Sequence, residues 1–145
     1  MGIRVLVGIL AAAVCAVALA AERSEEFLRI KHGNAALTGV ISEAVTKDDF
    51  AAIQEAAGKI SQHPHFPKAD SEVILAALGD EGSHFQENYA KFRETAQSLA
   101  DAAEFEDVKE VQTLYLKFMQ DCIACHNEYR EIVRRKRAEA ETAAK

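Results

Sequence analysis

Apolar residues recur along most of this chain at steps of three and four, the spacing that keeps one face of a helix buried. Over residues 25–45 the stripe is Phe27, Ile30, Leu37, Ile41 and Ala44, and in the next segment it is Phe50, Ile53, Ala57 and Ile60. Residues 46–49 between them read as a capping turn into the second helix. The run His63-Pro64-His65-Phe66-Pro67 ends that helix, because proline lacks an N–H donor and pushes the preceding residue away from helical geometry. Residues 70–78 predict a short extra turn or helix before Gly79 and Gly82. Ser83 and Gln86 then read as a capping box for a third helix, with Phe85, Tyr89, Phe92, Ala96, Leu99 and Ala103 on one face. The fourth and longest segment, residues 105–135, carries Phe105, Val108, Val111, Tyr115, Phe118, Cys122, Cys125, Tyr129 and Ile132. Almost nothing alternates in the manner of a strand.

A helix that is apolar on one face needs partners, and four of them joined by mostly short connections bury one another as an antiparallel four-helix bundle. Steps averaging about 3.5 residues favour a left-handed supercoil. The fold class expected is therefore all-α, with one domain and one core, as a length of 145 residues allows. Two Pro and seven Gly agree with long helices. Nearly all of the Phe, Leu and Ile residues are read as plain core packing.

The beginning of the chain departs from this pattern. Arg4 is followed by an uncharged, Ala-rich stretch over residues 5–21, and Ala18-Leu19-Ala20 supplies the small-x-small pattern of a cleavage site. Residues 1–20 are read as a secretory signal peptide, with 21–145 as the mature domain. An uncleaved membrane anchor is the alternative, although the stretch falls short of the usual spanning length of about 20 residues. A lipoprotein anchored through Cys15 is disfavoured by Val14, where a small residue is wanted. The formal net charge is −6 for the whole chain. Loss of Arg4 leaves 16 Lys and Arg against 23 Asp and Glu, a charge of −7 that argues against a nucleic-acid partner. The expected compartment is the periplasm, with no membrane association after cleavage. Residues 135–145 read either as more helix or as a frayed tail, and the basic run 134–137 suits the negative end of a helix.

With the leader removed, two cysteines remain, Cys122 and Cys125, with His126 beside them. Residues at i, i+3 and i+4 project from one side of a helix, so two thiols and an imidazole point together from the apolar face. Cys-x-x-Cys-His is the attachment motif of c-type haem: each S–H adds across a vinyl group to give a thioether, and the histidine binds iron. A redox dithiol would call for a βαβ context, which the chain lacks. A zinc site would need a fourth ligand from His32, His63, His65 or His84, whereas structural zinc usually takes two separated ligand pairs. His63 and His65 flank a proline and are read as loop residues. No Ser-His-Asp arrangement or Gly-rich phosphate loop stands out, and the expectation is a haem protein that is not an enzyme.

The leader, the four helices and the single Cys122-Ile-Ala-Cys125-His126-Asn-Glu-Tyr129-Arg130 near the C-terminus resemble the cytochrome c′ family, from Glu25-Glu26-Phe27 to Arg130. The resemblance implies one covalent haem c, with Cys122 and Cys125 at the thioether positions and His126 as the proximal ligand. It places Arg130 beside the proximal face, Lys31 and His32 near the propionates, and Asp70 as a polar haem contact in the second connection. It also raises pairing of two chains as a homodimer through their first helices.

The chain departs from the family pattern in having no Trp and in placing Ala35 where a bulky residue, often Leu, shields the sixth coordination position. Gly33, Ala36 and Gly39 are small too, so a flat ring can approach this side closely; Asn34 or His32 would be the residues to fill the gap. Low-spin relatives use a Met from the first helix, but the one Met of the mature chain, Met119, shares a helix with His126 and cannot reach the opposite face. His32 is the only histidine of the first helix, and it is read as a surface or propionate-contacting residue. The expected function is a five-coordinate haem that binds small diatomic gases such as nitric oxide or carbon monoxide, exchanges electrons with a periplasmic redox partner, or both. A six-coordinate low-spin electron carrier is the alternative.

Overall fold

The computed structural model describes residues 23–143, so the predicted leader lies outside the described residues. Five α-helices follow in order: α1 (Glu25–Thr46), α2 (Phe50–Gln62), α3 (Lys68–Leu78), α4 (Gly82–Glu104) and α5 (Val108–Ala143). A 3₁₀ turn, Gly79–Glu81, joins α3 to α4. The four long helices form the bundle, and α3 is the short helix expected in the crossover. No strand occurs among the described residues. None of their helices is long and apolar enough to cross a membrane.

Side-chain caps fix three of the helix starts. Ser24 Oγ accepts the Phe27 N–H at 3.1 Å, Asp49 accepts that of Ala52 at 3.1 Å, and Asp107 accepts that of Glu110 at 3.0 Å. The capping turn expected over residues 46–49 is thus present, with Asp48 at φ 53° reversing the chain. The capping box expected at Ser83 is not. The 3₁₀ turn runs straight into α4, Gly82 N–H bonds to Gly79 O, and Ser83 already lies in the first helical turn. The fourth predicted segment also starts late. Phe105 stands 81% exposed in the turn between α4 and α5, and Val108 is exposed as well. Glu106 at φ 52° breaks the helix there and Asp107 caps its successor, so the buried face begins at Val111. At the other end the expected tail is helical as far as Ala143.

Packing is uneven. The tightest pairs are α2 with α4 and α4 with α5, then α1 with α2, whereas α1 touches α5 only sparsely. One buried cluster joins Ile41 and Ala44 of α1, Ile53 and Ile60 of α2, Leu99 of α4 and Phe118 of α5. A second, smaller cluster joins Ala77 and Leu78 of α3 to Tyr129 and Val133 of α5. Between them the helices have no fully buried side chain: residues 31–40 of α1, 83–94 of α4 and 119–128 of α5 are all half-buried or exposed. The periodic stripe that predicts one continuous core is therefore realised as two cores with a seam between them.

Candidate functional site

Cys122 and Cys125 sit at that seam, half-buried and unbridged. Cys122 packs on the Phe118 cluster, and Cys125 packs on the Tyr129 cluster. His126 is exposed one position on, so the two thiols and the imidazole share a face of α5 as their spacing dictates.

One contact and one electrostatic proximity set the register of α1 against α5. Tyr115 Oη donates to Ser42 Oγ at 3.1 Å, and Lys31 lies within electrostatic reach of His126. These pairs are eleven residues apart on each helix, so an antiparallel register stands Ala35 level with Cys122. Lys31, Ala35, Thr38 and Ser42, at steps of four, three and four, form the α5-facing flank of α1. Ala35 itself is exposed. A Cβ built on Gly33 or Gly39 meets nothing within 4 Å. The mid-section of α1 thus runs level with the Cys–Cys–His side of α5 with no buried side chain on either, a sparsely packed gap between the two helices.

The electrostatics agree with the chemistry of the motif. Burial, with Asp121 and Cys125 adding to it, pushes the Cys122 thiol up to about 11. Burial and Glu128 raise that of Cys125. Both sulfurs are held as thiols at neutral pH, the opposite of what a redox-active dithiol needs. Burial, followed by Arg130 and Lys31, lowers the His126 value, which keeps an imidazole lone pair free for a metal. No group of three or more His, Cys, Asp or Glu that could hold a metal ion occurs among the described residues.

Other residues singled out in the sequence fall in different places. Lys31 and Arg130 join the His126 environment, and His32 is exposed beside the flank. Asp70 is only 7% exposed, and both its oxygens are engaged at the start of α1: Oδ1 accepts Ser24 N–H at 3.1 Å and Oδ2 accepts Ser24 Oγ–H at 2.6 Å. It ties α3 to α1. Asp70→Ala is expected to cost about 1.5–3 kcal/mol, the range for hydrogen bonds to a charged group. Chemical denaturation checks this; an unchanged stability together with a shifted reduction potential would make Asp70 a haem contact instead.

Sequence reasoning passed over one network beside the motif. Asp121 Oδ2 accepts from Thr95 Oγ1 at 2.9 Å and from Lys117 Nζ at 2.7 Å, and Lys117 reaches Thr95 at 3.0 Å. Thr95 is buried on α4, so the network pins α5 to α4 one residue before Cys122. Only the Lys117–Asp121 spacing of four could have signalled it.

The family model for cytochrome C′ matches residues 19–130, a span that takes in α1 to α4 and α5 as far as Arg130. No curated protein and no solved structure matches the chain. The match covers well over half of the sequence and ends just beyond the Cys–Cys–His face that lines the gap, and on that ground the chain belongs to the cytochrome c′ family of haem-binding c-type cytochromes.

Proposed function

We propose that this cytochrome carries one haem c in the gap between α1 and α5, five-coordinate and open on the α1 side. Cys122 and Cys125 are the thioether positions and His126 the iron ligand. The observation that carries the reading is the divided core: the motif lies at the seam, opposite a stretch of α1 with no buried residue. Bound there, the haem supplies an iron that takes a diatomic gas such as nitric oxide or carbon monoxide and exchanges one electron. Lys31 and Arg130 bring cations to the His126 face, complementing the carboxylates of the group. Ala35 leaves room above it. Met119 packs with the Phe118 cluster on the same helix as His126 and is no candidate for the opposite face. The leader layout supports export, with a one-electron redox partner in the periplasm.

The test is an absorption spectrum of the reduced protein with and without carbon monoxide, repeated on His32→Ala. A high-spin spectrum that forms a carbon monoxide adduct, unchanged by the substitution, is expected. A low-spin spectrum that turns high spin in His32→Ala would instead establish bis-histidine ligation and an electron carrier.

A further inference from the structure

Behind the Cys125 side of the gap lies a pair of polar groups that the reading above does not use. His63, in the 63–67 connection, places Nε2 2.7 Å from Tyr89 Oη on α4. Its Nδ1 lies 2.5 Å from Pro64 O, a carbonyl that can only accept, so Nδ1 carries the hydrogen and Nε2 takes the one from Tyr89. Arg93 holds the connection in place by donating from Nε and Nη2 to Ser61 O, at 2.9 and 2.6 Å, and from Nη2 to His63 O at 3.2 Å. The Tyr89 ring stands between Phe66, at 5.3 Å, and Phe92, at 6.4 Å, and its hydroxyl lies within electrostatic reach of the Cys125 thiol. A short polar link thus runs from the α2–α3 connection to the Cys125 side of the seam.

We propose that Tyr89 is a positioning residue of the haem site and that His63, through its hydrogen bond to Tyr89, is where the protein takes up a proton on reduction. The proposal rests on a haem at Cys125 as set out above. One electron delivered by a one-electron donor is matched by one proton from solvent arriving at His63 Nε2, so the net charge of the region is unchanged. Tyr89 Oη then becomes the acceptor of that N–H and turns its own hydrogen away.

The charged and titratable groups facing His63 are Arg93 and Tyr89 from α4 and His65 from its own connection; α2 contributes the Ser61 carbonyl through Arg93. Burial, opposed by the hydrogen bond to Pro64 O and reinforced by Arg93 and His65, holds the His63 value below the ordinary 6.5 in the absence of a redox change. Burial also drives Tyr89 up to about 12, so the phenol keeps its hydrogen throughout the working range. An added electron nearby favours the imidazolium and raises the pH at which His63 protonates.

Spectroelectrochemical titration of the haem-loaded wild type, His63→Gln and Tyr89→Phe between pH 5 and 9 tests this. Wild type is expected to show a midpoint that rises as pH falls through the His63 window, and His63→Gln, which still accepts from Tyr89, loses that rise. Tyr89→Phe keeps the ring but removes the donor that stabilises neutral His63, so its rise moves to higher pH. A purely packing role for Tyr89 would lower the melting temperature without moving the profile. A rise that survives in His63→Gln, or a Tyr89→Phe profile superimposable on wild type, overturns the proposal. Failure of haem staining on a denaturing gel would overturn the functional reading itself, and the proposal with it; failure of the pH profile in stained protein overturns the proposal alone.

Discussion

Cys122→Ser combined with Cys125→Ser is expected to abolish covalently bound haem entirely. Each thiol is half-buried at the seam, and each belongs to a different half of the core. A group tethered through both sulfurs therefore joins the Phe118 cluster to the Tyr129 cluster. Serine is nearly isosteric with cysteine, so either substitution by itself should cost about 1 kcal/mol, the centre of the range for point mutants. The loss of the group is a separate and larger matter, because the seam that remains has no buried side chain and is bridged only by the half-buried Phe85, Tyr89 and Phe92 of α4. Helical content should persist, since α2, α4 and the Phe118 cluster do not depend on the gap. The melting temperature should fall well beyond the sum of the two single serine variants. Peroxidase staining of a denaturing gel reads the attachment directly, and a stained band in the double variant would sink the thioether assignment.

The features legible in the sequence were those written in a local period or a local motif. The stripes of α1, α2, α4 and α5 correctly name Ile41, Ile53, Ile60, Leu99 and Phe118, because burial on a helix follows from which face a residue occupies. The Cys–Cys–His face was legible for the same reason. Competition between local signals was not. Phe105 fits the apolar step but sits just before Glu106 at φ 52° and the Asp107 cap, and these two decide where α5 begins. Ser83 looked like a cap because its own window suggests one, whereas the 3₁₀ turn before it had already satisfied the first donor. Contacts between distant residues left no trace at all. Asp70 and Ser24 are 46 residues apart, and nothing near either announces the other. The seam is of this kind too: both halves of the core show the same periodic stripe, and only the folded packing reveals that the stretch between them buries no side chain.

Ala35→Leu is expected to slow carbon monoxide association with the reduced protein by about 5- to 150-fold. Ala35 lies on the flank of α1 that also carries Ser42, which bonds to Tyr115 of α5, and Lys31, whose charge is felt at His126. Seven residues from the Ser42–Tyr115 pair on each helix, the same register brings Ala35 level with Cys122. It is therefore the side chain best placed to limit what enters the gap opposite His126, and a methyl group limits little. Leucine adds three carbons there. Overfilling a confined site costs about 1–3 kcal/mol, and that cost, placed on the approach of a ligand, is about 5- to 150-fold in rate. The helix itself should not object, since leucine ranks close to alanine in helix propensity and position 35 is exposed to solvent. Stability and the haem-stained band are thus expected to remain as in wild type while the association rate falls. Flash photolysis of the carbon monoxide adduct measures that rate. An unchanged rate in a folded, stained Ala35→Leu protein would mean that the ligand does not approach from the α1 side, and the open face assigned there would have to be abandoned.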